Sequence, residues 1–111
     1  MRRAMAEAAA QRSAFMQPWE ETPHSVATGI LDDETYDWRG VVEGMLMTGG
    51  RPLVVSEELL AEANRLAVSA TGIRADPTGS SGLAGLLELR RSGAIGDRER
   101  AAVLLTGIQR D

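Results

Sequence analysis

Cysteine and lysine are both absent from this 111-residue sequence, and histidine occurs once. Without cysteine, disulfides, thiolate catalysis and cysteine-ligated zinc are excluded. All twelve basic residues are arginines, so no side chain of this sequence can form a Schiff base. A metal site that needs two histidines is excluded because the sequence contains one.

Long hydrophobic runs are also missing, and the charge balance is mildly acidic. No apolar segment approaches the roughly 20 residues that span a bilayer. The N-terminal Met1-Arg2-Arg3 is too polar for a secretory signal. A net charge of −4 argues against nucleic acid and anionic membranes as partners. We therefore expect a cytoplasmic protein that binds neither.

The remaining composition is that of a globular domain, with 43% hydrophobic and 25% charged residues. An alanine-rich run over residues 2–16 has high helix propensity, and Pro18 stops it. We expect residues 1–23 to form an N-terminal helix and connector. Residues 24–111 would form the main part of the domain.

Three further helices are predicted from apolar spacing and from helix-end signals. The first begins after Asp37 as its N-cap and stops at Gly49. Its apolar face repeats at helical intervals. The second begins after Ser56, with two glutamates in its first turn, and ends at Gly72. The third covers roughly residues 80–91.

Short apolar segments alternate with these helices at residues 52–55, 73–75 and 101–105. The last has no polar alternation, which is typical of a strand buried on both faces of a parallel sheet. The resulting strand–helix order predicts an α/β fold, a partial three-layer αβα arrangement with a mostly parallel sheet.

Ligands of open parallel sheets bind beyond the carboxyl ends of the strands. That rule selects Asp76, which follows one predicted strand, and Thr106 with Gly107, which follow the last. The glycines between them, Gly79-x-x-Gly82-x-x-Gly85, do not match the dinucleotide fingerprint and are equally explained by a helix cap and tight packing. Thr106 has a similar alternative: its hydroxyl could bond to nearby backbone at the end of a strand and take no part in ligand binding.

Two other candidates carry weaker signals. His24 could act as a general base or ligand, although an ordinary polar or capping role explains it as well. Asp32-Asp33-Glu34 could bind a cation, but a solvated acidic turn is the simpler interpretation.

Several motifs resemble segments of threonine synthase-like enzymes of the fold-type II pyridoxal-phosphate family. They occur in the family's order and spacing over roughly residues 14–111. They are the PWE and PHSVATGI segments at 18–20 and 23–30, TGG at 48–50, VVSEE at 54–58, DPTGSSGLAGL at 76–86 and LTG at 105–107.

The resemblance implies that Thr106 offers its hydroxyl to the pyridine nitrogen of pyridoxal 5′-phosphate and that Gly107 lets the backbone approach the ring. Asp76 stands near the cofactor where the family usually has glutamate. A neutral hydroxyl does not keep the nitrogen protonated as a carboxylate would, so the ring is a weaker electron sink. Elimination or replacement on an amino-acid substrate is then favoured over transamination.

The family's cofactor-binding lysine and phosphate-binding loops belong to an upstream region. We therefore expect a C-terminal portion of such a lyase or synthase, inactive alone, without its own catalytic residue or metal ligand. It would complete its site with the missing N-terminal region or a separate chain, or assemble as a homo-oligomer.

Three alternatives remain open. The first is a serine/threonine dehydratase-like fragment, and the second is a non-catalytic α/β interaction module. The third is a self-contained enzyme using Asp76, Glu57 or His24, which is disfavoured because no nucleophile–base constellation is visible.

Overall fold

A computed structural model describes residues 7, 10, 11 and 18–110 of the chain. The helix predicted for residues 2–16 therefore lies almost entirely outside the described residues. Within the described part, no helix is both long enough and apolar enough to cross a membrane.

The chain divides into two compact units. One comprises Met1–Pro23 with Asp32–Pro52, and the other comprises His24–Leu31 with Leu53–Asp111. The first contains helix α1, Trp38–Thr48. The second contains a short 3-10 helix, Thr28–Ile30, followed by α2, Glu57–Thr71, and α3, Ser81–Arg91.

Helix α1 confirms the predicted helix, but its apolar face is not buried. It ends at Gly49, whose φ of 75° is left-handed, as expected for a glycine stop. Asp37 occupies the N-cap position without a side-chain hydrogen bond. No residue of α1 is buried, and Val41 and Leu46 are each about half exposed.

Helix α2 begins and ends as its capping signals predict. The Ser56 hydroxyl oxygen accepts a hydrogen bond from the Leu59 amide at 3.2 Å, which satisfies one of the unpaired amides of the first turn. Glu57 and Glu58 lie in that turn and complement the helix dipole. At the other end Gly72 takes a left-handed conformation with φ of 71°.

The core of the second unit forms where α2 packs against α3. Most of its side chains are small, which brings the two helices close together. The buried members are Ala27, Leu59, Leu60, Ala63 and Ala84, with Val55, Leu83 and Leu87 packed against them.

The predicted sheet is wrong. Residues 18–110 contain no strand, and the segments 52–55, 73–75 and 101–105 form no ladder. An isolated bridge joins Ala75 to Ile108, and it is antiparallel. The described residues form a helical fold, which replaces the predicted αβα arrangement with a parallel sheet.

The error has a physical cause. A strand exists only when a second extended segment pairs with it, and local apolar character does not say where that partner lies. The predicted strands find no such partner among residues 18–110, and several of their apolar side chains remain in solvent. Val54 is 97% exposed and Leu104 is 79% exposed, so neither lies inside a covered sheet.

Candidate functional site

The site is built around the turn that leads into α3. Asp76 opens this turn, and its Oδ1 accepts a hydrogen bond from the Gly79 amide at 2.6 Å. Its carbonyl oxygen accepts a second from the Ser80 amide at 3.0 Å. Bonds from an amide to an ionised carboxylate are among the stronger hydrogen bonds in proteins. Asp76 therefore holds the turn closed with both its side chain and its backbone.

A second segment, residues 106–109, runs antiparallel to the start of this turn. The Thr106 amide donates to the Gly79 carbonyl at 3.1 Å, and the Asp76 amide donates to the Gly107 carbonyl at 3.3 Å. A third bond joins the Gln109 amide to the Arg74 carbonyl at 2.8 Å. These three backbone bonds bring the predicted site residues together, by antiparallel contact and not at the edge of a parallel sheet.

Two glycines make this approach feasible. A Cβ added at Gly79 would fall on the backbone nitrogen of Gly107 and lie 2.6 Å from its carbonyl oxygen. A Cβ added at Gly107 would collide with the Asp76 carboxylate and lie 2.9 Å from its Cγ. The two segments can therefore approach this closely only because residues 79 and 107 carry no side chain.

An open cavity of about 520 Å³ lies beside this contact. All three predicted site residues line it. The lining residues are Asp76, Thr106, Gly107, Ile108, Gln109 and Arg110.

The polar side chains that line the cavity differ in whether they already make hydrogen bonds within the protein. Thr106 is exposed, and its hydroxyl has no hydrogen-bond partner among residues 18–110. Asp76 is partly buried and bonded to Gly79. Arg110 contributes a cation to the same lining. The arrangement can offer a free hydroxyl to a small polar ligand.

The sequence analysis did not identify a polar pair behind the turn, formed by the buried Ser80 and the partly buried Asn64. Ser80 is 0% exposed, and its hydroxyl donates to the Asp76 carbonyl at 2.9 Å. Asn64 of α2 donates through its side-chain nitrogen to the Ala75 carbonyl at 2.7 Å and to the Ser80 hydroxyl at 3.1 Å. An asparagine next to the apolar face of α2, between Ala63 and Ala67, was the signal that could have revealed it.

The segment 24–31 is also tied to this unit. The Gly29 amide donates to the Thr78 hydroxyl at 2.9 Å, and the Val26 amide donates to Glu57 Oε2 at 2.8 Å. The Val26 bond, and a further bond from the Ser25 side chain, hold the pKa of Glu57 below its usual value. Glu57 therefore fastens a loop and is not positioned beside the cavity lining.

The remaining candidates do not join the site. His24 is exposed and does not line the cavity. The Asp32 carboxylate accepts a hydrogen bond from the Glu34 amide at 2.9 Å, as in a local acidic turn. Within the described part of the chain, no group of three or more histidine, cysteine, aspartate or glutamate side chains could hold a metal ion.

Comparison with known proteins adds an independent observation. No family model matches the chain. It is 32% identical over 87 residues to a threonine synthase of Bacillus sp. (strain ULM1), a match that covers 78% of the chain and 25% of the relative. It is 29% identical over 101 residues to a threonine synthase of Methanocaldococcus jannaschii, covering 91% of the chain and 25% of that relative. Over most of its length, the chain is thus similar to about a quarter of a threonine synthase.

Proposed function

We propose that this chain forms part of a pyridoxal-phosphate-dependent lyase or synthase of the threonine synthase type. Its substrate would be an amino acid, transformed by elimination or replacement. The observation that carries the proposal is the shared lining of one cavity by Thr106, Gly107 and Asp76. Similarity to two threonine synthases supports it. A cytoplasmic location belongs to the same proposal.

The residues present suit one end of the cofactor. A volume of about 520 Å³ falls within the range of small-molecule sites, roughly 300–1,000 Å³. The Thr106 hydroxyl is available to a ring nitrogen, and Gly107, whose missing side chain makes room for the Asp76 carboxylate, lines the same cavity. No lysine occurs in the sequence, so the amine that anchors the cofactor would come from other polypeptide, in a longer chain or a partner.

In this role Thr106 binds and orients without transferring a proton. When bound, pyridoxal phosphate supplies an electron sink for carbanion chemistry. The Thr106 hydroxyl would donate to the ring nitrogen and leave it uncharged, which moderates that sink. Asp76 would keep Gly79 and Gly107 in contact and thereby hold Thr106 at the cavity.

The proposal is tested with deoxypyridoxine phosphate, a cofactor analogue that lacks the aldehyde and so needs no lysine. Calorimetry on the full chain should detect binding. Thr106→Val, which removes the hydroxyl at nearly constant volume, should weaken binding roughly fivefold, the effect of one lost hydrogen bond. Thr106→Ser should retain the affinity.

Thr35→Val is the matched control, because Thr35 is an exposed threonine of the other unit. It should bind the analogue as the unmodified chain does. Absence of binding by the unmodified chain, or equal affinities for Thr106→Val and the unmodified chain, would contradict the proposal. A folded chain without affinity for the analogue would favour a non-catalytic interaction module.

A serine/threonine dehydratase-like activity would use the same contact to the ring. It differs in substrate and in reaction, so binding of the analogue does not separate the two. Reconstitution with a lysine-bearing polypeptide, followed by assay of hydroxyamino-acid elimination against phosphate-ester replacement, distinguishes them.

A further inference from the structure

Asn64 carries a side-chain amide at the interface between α2 and the turn that precedes α3. Both neighbours on the helix face, Ala63 and Ala67, are buried. Burying part of an amide costs free energy unless its hydrogens find acceptors. Both do, one on the carbonyl of Ala75 at 2.7 Å and one on the hydroxyl of Ser80 at 3.1 Å.

These two acceptors stand on either side of the turn over residues 76–79. Asn64 therefore links the residue before the turn to the residue after it. Ser80 extends the link inward, because its hydroxyl donates to the Asp76 carbonyl at 2.9 Å. The side chains of Asn64 and Ser80 together therefore make three hydrogen bonds around the turn: Asn64 to Ala75, Asn64 to Ser80, and Ser80 to Asp76.

From the turn the hydrogen bonds continue to the cavity. The Gly79 carbonyl accepts from the Thr106 amide at 3.1 Å, and the Gly107 carbonyl accepts from the Asp76 amide at 3.3 Å. A continuous series of hydrogen bonds therefore runs from Asn64, through Ser80 and the turn, to the backbone on which the Thr106 hydroxyl is mounted.

The contact between α2 and α3 does not depend on this amide. Apolar packing of Leu59, Leu60 and Ala84 supports it, and Arg91 bonds to Glu62 at 2.6 Å across the same pair of helices. An apolar side chain at position 64 would avoid the cost of desolvating an amide. The Asn64 amide instead fixes the orientation of the turn, because hydrogen bonds are directional and apolar packing is not.

We propose that Asn64, acting through Ser80, is a positioning residue that sets the placement of Thr106 and Gly107 at the cavity. The inference deepens the proposed function and rests on it for the role of Thr106. Helix α2 contributes no residue to the cavity lining. Through Asn64 it would nevertheless determine where Thr106 meets the ligand.

The test uses Asn64→Ala and Ser80→Ala in the full chain, with two readouts. The first is the backbone amide chemical shift and hydrogen-exchange rate of Gly79, Thr106 and Gly107, which needs no ligand. The second is the affinity for deoxypyridoxine phosphate. Ser80→Ala retains the bond from Asn64 to Ala75. It therefore tests the hydrogen bonds that pass through Ser80 even where Asn64→Ala fails to fold.

Both variants should shift the Thr106 and Gly107 amides, speed exchange at Thr106, and weaken analogue binding roughly fivefold, about the effect of one hydrogen bond. The double variant should lose less than the product of the two single effects, because both remove the same link. Glu62→Gln is the control, since it weakens the contact between the helices without touching the turn. It should leave the amides of residues 106 and 107 unchanged.

Unchanged Thr106 and Gly107 amides in a folded Ser80→Ala chain would overturn the inference. So would equal shifts in Glu62→Gln, because the effect would then follow from loosened helix packing. If the unmodified chain binds no analogue, the proposed function fails, and the amide shifts still decide whether Asn64 positions residues 106 and 107.

Discussion

At the scale of single residues, the glycines of this chain serve two different physical needs. Gly49, Gly72 and Gly93 have positive φ and provide the left-handed conformation in which helices end. Gly79 has no positive φ, so its backbone conformation does not require glycine. It is required by space, since any Cβ at this position would overlap the backbone of Gly107.

Gly79→Ala should destabilise the chain by about 1–3 kcal/mol, the usual cost of forcing atoms into a filled site. The obstacle is backbone, which cannot rotate away as a side chain can. Chemical denaturation followed by circular dichroism measures the change. The cavity-lining residues should shift in amide spectra of the same variant, because Gly79 bonds to Thr106.

Gly85→Ala provides the matched substitution. Gly85 lies inside α3, and an added Cβ would lie 3.6 Å from Leu53 Cδ1, an ordinary contact. Replacing an interior helical glycine by alanine should then stabilise the chain by about 0.5–1 kcal/mol. If both substitutions have the same sign of effect, the steric explanation for Gly79 is wrong.

At the scale of elements, helix α2 organises the second unit through its ends and one face. Its first turn holds the segment 24–31 through Glu57, whose Oε2 accepts from the Val26 amide at 2.8 Å. Its inner face forms the core with α3. Its polar residue Asn64 reaches the turn at the cavity. One helix thus joins three of the segments that the sequence motifs singled out.

Glu57 makes the attachment of the segment 24–31 dependent on pH. Hydrogen bonds from Val26 and then Ser25 lower the pKa of Glu57 in the folded chain from its usual 4.5. The unfolded chain therefore binds more protons in that range, and stability rises with pH through it. The contribution is complete above the usual pKa and disappears as the pH falls through the lowered folded value.

Glu57→Gln should abolish this dependence. Hydrogen exchange of the Val26 amide, followed across the acidic range, should accelerate in the unmodified chain as the pH falls below 4.5, relative to the intrinsic rate. In Glu57→Gln the same amide should show no such transition. Glu58→Gln removes a charge from the same turn without touching Val26, and a loss of the transition in that variant would contradict the assignment.

At the scale of the whole molecule, what could be predicted from sequence was what local interactions determine. Helices α2 and α3 follow from apolar spacing and from caps such as Ser56, whose bond to Leu59 spans three residues. The sheet failed because pairing depends on distant segments, and the residues near Val54 and Leu104 have no neighbouring strand here.

The cavity falls between these cases. The small residues over 76–82 indicate a tight turn on local grounds, and Thr106 with Gly107 were selected as the end of a predicted strand. They lie against the turn in an antiparallel contact, which the predicted parallel sheet did not foresee. Asn64 lies beside the apolar face of α2, which is a local signal, but the sequence does not show that the acceptor of its amide lies 11 residues away.

Stability should therefore be concentrated in α2 and α3. The core they share has two large buried side chains, Leu59 and Leu60, among several alanines, whereas α1 buries none of its residues. Native-state hydrogen exchange measures this distribution directly. We expect the slowest amides in α2 and α3, with α1 exchanging faster and without cooperativity with them.

Leu60→Ala tests how much of the free energy of unfolding comes from the core between α2 and α3. Leu60 is 4% exposed, and truncating a buried leucine costs about 2–5 kcal/mol, a large share of the roughly 5–15 kcal/mol that stabilises a typical domain. Protection should fall together in α2 and α3. Leu66→Ala removes the same atoms from the same helix at a site that is 43% exposed, and it should cost less than half as much. Equal losses from the two substitutions would mean that helix propensity, and not the contact with α3, holds α2 in place.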